Sequence, residues 1–309
     1  MTDYEREAFQ KSWQPAQQID LPVRITERYY LLSVLKETAQ DQTCLLSEKE
    51  NGNLYILKSC LLFPQNTAGQ EYHMLLFLRQ KQAPKSIFVP ETMEYFEENG
   101  RAYLLRNYIY GFAFHEYAAK SPSDSLSERE LLRCGIQLCE ALEFLHGQNP
   151  AVIHRDIKPG NVILDPYGCC HLIDFGIARH YKAGRNSDTF NMGSENSAAP
   201  EQFGYAQTDA RTDIYSLGTL LLYGATCEYD IKKLEYADIS DRLKAIIRKC
   251  MQFAPQDRYQ SAAGLHRDLV KCQNQGIHRQ KFCCFFCGIF IGALVMFLGL
   301  CLWLLFIAI

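Results

Sequence analysis

The sequence predicts an α+β fold of two lobes, a small antiparallel sheet with one main helix followed by a mainly helical lobe, with one further apolar helix at the C-terminus. Three observations predict it. Short β-type runs crowd residues 29–58 and return between 88 and 110, helical spacing dominates beyond Ser121, and residues 282–309 carry no charge. Strands first and helices later is the order of an α+β chain, not of alternating βα units.

The chain has 309 residues, 48% of them hydrophobic, enough for a substantial buried core. Lysine and arginine total 32 against 35 acidic residues, a formal charge of −3. No basic excess is available for a phosphate backbone, which argues against nucleic acid as a partner. The 13 cysteines are scattered through apolar segments without the spacing of a secreted disulfide scaffold, so a reducing compartment is expected. The N-terminus, MTDYEREAFQKSW, is charged from its third residue and has no apolar core of a secretory signal.

Residues 1–27, with Pro15, Pro22 and several glutamines, read as a flexible or loosely docked leader. The runs RYYLLSVL, TCLLSE and NLYILK then alternate as strands, with a turn at Glu50-Asn51-Gly52-Asn53 between the last two. GQEYHMLLFLRQ has apolar residues at helical spacing. FVPETMEYF and RAYLLRNYIY return to strand character around Glu98-Asn99-Gly100. Ser127-Glu-Arg-Glu is a capping box that opens the helix LLRCGIQLCEALEFLH.

The tail, FCCFFCGIFIGALVMFLGLCLWLLFIAI, is about 42 Å long as a helix, against about 30 Å of bilayer hydrocarbon. A transmembrane helix over 282–309 is therefore expected, in contact with membrane lipid. His278, Arg279 and Lys281 precede it, in a basic juxtamembrane segment over 273–281, and place the large N-terminal part on the cytoplasmic side. Gly288 and Gly292 form a GxxxG spacing that would permit homodimer packing, though glycine is common in such helices.

The chemistry is concentrated in three motifs: HRDIKPGN from His154 to Asn161, DFG from Asp174 to Gly176, and APEQ from Ala199 to Gln202. On these, residues 28–272 resemble the protein kinase family, in particular the bacterial eukaryotic-like serine/threonine kinases, with a first lobe over 28–107 and a second over 108–272. The resemblance implies a two-lobed kinase fold, ATP and Mg²⁺ as cofactors, and protein substrates bearing Ser or Thr. It implies that Asp156 orients the substrate hydroxyl and accepts its proton, and that Lys158 offsets charge on the transferring phosphoryl group. Asn161 and Asp174 would hold the metal, both being hard oxygen donors. Lys58 would contact the nucleotide phosphates and pair with Glu71, while Asn107 and Tyr108 would lie along the nucleotide. Asp213 would brace the catalytic loop, and Arg258 would pair with Glu201. Arg155 would receive a phosphate from the activation segment, where Ser187, Thr189 and Ser194 are the candidate phosphosites.

The chain departs from the family pattern in four places. Counting back from Lys58 puts the three loop glycines at Lys36, Thr38 and Asp41, and none is glycine. Asp41 would bring negative charge toward phosphates unless it turns away. Thr43 and Arg106 make the pocket unusually polar, and Arg106 is expected to swing toward Glu71 and compete with Lys58 in an autoinhibited arrangement. The stretch 223–243 is shorter than its family counterpart. A pseudokinase acting as a membrane-bound interaction module is the alternative reading, and a small-molecule phosphotransferase a more distant one, disfavoured by APEQ and Arg258.

Overall fold

The computed structural model describes residues 20–63, 66–91, 93–121, 125–181, 196–204 and 207–275. The first lobe is a five-stranded antiparallel sheet of order β1-β2-β3-β5-β4, made of Tyr29–Glu37 (β1), Asp41–Glu48 (β2), Leu54–Leu61 (β3), Met93–Glu98 (β4) and Arg101–Asn107 (β5). The central strand β3 reads LYILKSCL and buries most of its side chains, as a strand covered on both faces must. Helix α1, Thr67–Gln80, lies across the sheet. Its start is fixed by Asn66, whose side chain accepts from the Gly69 amide at 2.7 Å and donates to Tyr95 Oη at 2.6 Å.

One expectation is corrected here. FVPETMEYF does not form one strand: β4 begins only at Met93. Pro90 has no amide to donate, and residues 86–88 instead pair with Leu172 of the second lobe, through Phe88 N to Leu172 O at 3.1 Å and Leu172 N to Ser86 O at 2.8 Å. Residues 20–27, within the expected leader, are mostly exposed and touch the sheet through Ile25. Val23–Thr26 forms one helical turn, and Ile25 is buried with Tyr29, Cys44 and Leu46 on the sheet.

The second lobe is built on α2 (Phe114–Ala119), α3 (Glu128–His146), α4 (Ala210–Thr226), α5 (Asp241–Cys250) and α6 (262–275). The capping box of α3 is present: Ser127 N donates to Glu130 Oε2 at 3.0 Å, and Glu130 N to Ser127 Oγ at 3.4 Å. Helix α4 is buried on nearly every side and is the lobe's central post. A Cβ at Gly218 would lie 2.5 Å from Cys250 Cβ, so glycine is what lets α4 and α5 approach. The shortened stretch after α4 holds a 3-10 turn, Ile231–Tyr236, and then enters α5.

The nine cysteines among the described residues are free thiols. None of the helices among the described residues is long and apolar enough to cross a membrane. The expected span 282–309, Gly288, Gly292, the basic residues 278–281, Ser187, Thr189 and Ser194 all lie outside the described residues.

Candidate active site

The catalytic-loop motif sits between two short strands, Val152–Ile153 and Val162–Leu164. Arg155 in this loop has φ 71° and Asp174 in the DFG segment has φ 67°, a region that costs a side-chain-bearing residue about 1–3 kcal/mol and persists only where its surroundings enforce it. Asp213 supplies that enforcement at Arg155. From α4 its carboxylate, fully buried, accepts from the amides of His154 (2.9 Å) and Arg155 (2.8 Å) and from His146 Nε2 (2.8 Å). Burial would raise the Asp213 carboxyl, but the His146 hydrogen bond and nearby charge outweigh it and leave its pKa lowered. Gln202 adds a further clamp, Nε2 donating to Arg155 O at 2.8 Å.

Asp156, Lys158 and Asn161 form one cluster. Lys158 Nζ donates to both Asp156 carboxylate oxygens, at 2.9 and 2.7 Å. Asn161 Nδ2 donates to the Asp156 carbonyl at 2.9 Å and to Oδ2 at 2.8 Å. These contacts leave the Asp156 carboxylate with a fixed orientation facing the cleft between the lobes.

Across that cleft, Lys58 on β3 donates to Glu71 Oε2 at 2.6 Å and lies 2.8 Å from Asp174 Oδ1. Burial pulls the Lys58 ammonium toward its neutral form, yet Asp174 and Glu71 more than offset this and hold its pKa above the ordinary lysine value. Burial likewise opposes ionisation of Asp174, but Lys58 and the Gly176 amide keep its carboxyl well below the usual carboxylate range. Glu71, Lys58 and Asp174 thus link α1, β3 and the DFG segment through charge. Phe175 of that segment is fully buried, edge-on to His154 with ring centroids 4.8 Å apart.

The cleft has a volume of about 110 Å³, and Lys36, Asp41, Thr43, Lys58, Asp156 and Asp174 are among its walls. Asn107 and Tyr108 are not among the residues lining it. They end β5, where the Tyr108 amide donates to Leu54 O at 3.1 Å and the ring packs edge-on against Tyr110. Asp41 turns toward helix α1, its Oδ1 accepting from Thr67 Oγ1 at 3.4 Å, so a negative group meets the helix N-terminus.

Arg106 does not compete with Lys58. It is buried, its guanidinium carbon 5.5 Å from the Phe88 ring centroid, and its Nε lies 3.7 Å from Glu71 Oε1 while Lys58 keeps Oε2. One carboxylate has two oxygens, so it serves both cations, and the displacement expected from spacing does not occur. Replacing Arg106 with methionine is expected to cost about 1–2 kcal/mol in urea unfolding, because Glu71 keeps only one of its buried cations. An unchanged denaturation midpoint would show that Glu71 makes no use of Arg106.

Among the described residues no group of three or more His, Cys, Asp or Glu side chains forms a metal site by itself. Mg²⁺ bound with a nucleotide does not need one, since it keeps waters and takes one or two protein oxygens besides phosphate. Asp174 and Asn161 are of that kind and number, and fit the ion.

Sequence reasoning missed His146, Gln202 and Thr212, which hold Asp213, Arg155 and Glu201 in place. No local spacing signals them, because their partners lie far away in the chain.

Comparison with known proteins agrees with this geometry. A protein kinase domain family model matches residues 45–270. The chain belongs to the protein kinase family. Among curated proteins it is similar to the serine/threonine-protein kinase PknB of Mycolicibacterium smegmatis, 28% identical over 211 residues, which are 61% of this chain and 33% of that protein. It is 28% identical over 194 residues to PknB of Mycobacterium tuberculosis, covering 56% and 30%. It is 26% identical over 269 residues to the serine/threonine-protein kinase B of Synechocystis, covering 78% and 46%. The chain therefore spans about a third of the length of the PknB relatives.

Proposed function

We propose that this chain is a serine/threonine protein kinase that transfers the γ-phosphoryl group of ATP to protein hydroxyls and is held at the cytoplasmic face of a membrane by residues 282–309. The observation that carries the catalytic reading is the Lys58 ammonium in contact with Glu71 at 2.6 Å and Asp174 at 2.8 Å, opposite the Asp156 cluster. The serine/threonine class rests on Lys158 two residues after Asp156 and on the names of the relatives.

Asp156 aligns the incoming hydroxyl and accepts its proton. Lys158 Nζ, now on the Asp156 carboxylate, offsets charge on the moving phosphoryl group. Lys58 grips the nucleotide phosphates, and Glu71 keeps Lys58 in place. Asp174 and Asn161 would hold Mg²⁺, which would supply positive charge against the phosphates when bound. Phosphorylation at Ser187, Thr189 or Ser194, received by Arg155, is the regulation this reading carries.

Incubation with Mg²⁺ and γ-labelled ATP should yield acid-stable phosphoserine or phosphothreonine on a protein substrate or on the chain itself. Failure to label under any divalent ion would remove the enzyme claim. The turn over Thr38–Asp41 favours the second reading, a nucleotide-poor pseudokinase, because its Gln40 and Asp41 amides are engaged internally.

Deleting everything after Gln280 is expected to move the protein from the membrane pellet to the supernatant of lysed cells. Retention in the pellet would count against the tail as the anchor, and the GxxxG pair at Gly288 and Gly292 would then lose its proposed role in homodimers.

A further inference from the structure

The turn between β1 and β2 meets the cleft only through Asp41, while Thr38 and Ala39 border a separate depression with Leu21 and Arg101. Three amides of the turn are bonded within it. Thr38 Oγ1 accepts from the Gln40 amide at 3.3 Å and from the Asp41 amide at 2.9 Å, and the Thr38 amide donates to Asp41 O at 2.8 Å. No residue of the turn has positive φ, so it closes as an ordinary tight turn and requires no glycine. A triphosphate approaching it meets amides already engaged by the threonine hydroxyl.

Electrostatics sharpens the problem. The cleft walls carry two lysines, Lys36 and Lys58, against four carboxylates, Asp41, Glu71, Asp156 and Asp174. Lys58 already contacts two of those carboxylates, Glu71 and Asp174. Lys36 is different: it is exposed, it lines the same cleft from β1, and no carboxylate among the described residues pairs with it. It lies two residues before Thr38, on the strand that leads into the turn.

We infer that Lys36 is a phosphate-binding residue of this kinase, its ammonium contacting the nucleotide's phosphate tail in place of the loop amides that Thr38 engages. The inference rests on the kinase reading above. An ammonium is a compact charge with three donors on a flexible stem, so it can reach phosphate oxygens without the close backbone approach that glycines permit. It also adds positive charge to a cleft whose walls carry more carboxylates than ammonium groups.

The test is equilibrium titration of the full-length chain in detergent with Mg-ATP and, separately, with adenosine. Lys36→Ala should weaken Mg-ATP about tenfold and leave adenosine unchanged, since only the phosphates are affected. Lys36→Arg should stay within about threefold of the parent for both ligands, because the charge is kept. Unchanged Mg-ATP affinity in Lys36→Ala would overturn the inference, and so would an equal loss for adenosine, which would mean general damage to the pocket. If the folded parent itself takes up no Mg-ATP, the kinase reading fails and this inference falls with it. A parent that binds and a Lys36→Ala that binds equally would sink the role of Lys36 alone.

Discussion

Asp156→Asn is expected to slow phosphoryl transfer about a thousandfold while Mg-ATP affinity stays within about threefold of the parent. An amide oxygen can still accept one hydrogen bond, so the contacts from Asn161 Nδ2 (2.8 Å) and Lys158 Nζ (2.7 Å) need not both be lost. The loop around it is clamped from elsewhere, by Asp213 on the amides of His154 and Arg155. The substitution therefore removes a proton acceptor without dismantling the site. Its effect should fall on kcat and hardly on nucleotide binding, because Lys58 and Asp174 are untouched. Labelled phosphate incorporation, read beside a nucleotide titration, separates the two. A variant within threefold of the parent rate would mean that Asp156 carries no proton and that the catalytic reading is wrong.

The contrast between what local pattern reveals and what it hides is visible within this site. Asp156, Lys158 and Asn161 fall within six consecutive positions, so a short motif is enough to put them together. Lys58 and Glu71 are brought together because β3 ends near the start of α1, a placement that strand and helix periodicity already suggest. Arg106 is a different case. Spacing brings it near Glu71, but only the two-oxygen geometry of the carboxylate decides that it shares rather than displaces. Thr38 is harder still: nothing in its identity says that its hydroxyl will collect two amides of the next turn, since that depends on the turn type. His146 reaches Asp213 from 67 residues away, and its place at the end of α3 carries no sign of it. The strand misread across Pro90 has the same origin. Its apolar residues suit a strand, but the partner that residues 86–88 find is Leu172 in the other lobe, which local pattern cannot supply.

Arg258→Ala should be the most damaging single change to stability, about 3–5 kcal/mol, a large part of what a domain of this kind possesses. The Arg258 side chain is 0% exposed, and Glu201 is 4% exposed. Its guanidinium donates to both Glu201 oxygens, at 2.8 and 2.9 Å, and to the carbonyls of Gln252 (2.8 Å), Phe253 (2.8 Å) and Arg211 (3.0 Å). Truncation would leave a buried carboxylate with Thr212 Oγ1 at 2.7 Å as its remaining donor among these contacts, and would strip a donor from three carbonyls. Lysine is expected to rescue little, because three donors around one nitrogen cannot reproduce a planar fork that serves five acceptors. The loss corresponds to roughly 10 °C in Tm for a domain of this size. A cycle with Glu201→Gln tests the cause: the double variant should be less destabilised than the two single losses added together, since neutralising Glu201 removes the buried charge that Arg258→Ala abandons. Strict additivity would show that the pair does not interact. The consequence should reach the active site, because Glu201 adjoins Gln202, whose amide group holds the Arg155 carbonyl at 2.8 Å, one residue before Asp156. Below its melting point, Arg258→Ala should therefore lose transfer rate before it loses nucleotide affinity, since the brace lies under the catalytic loop and Lys58 lies in the other lobe.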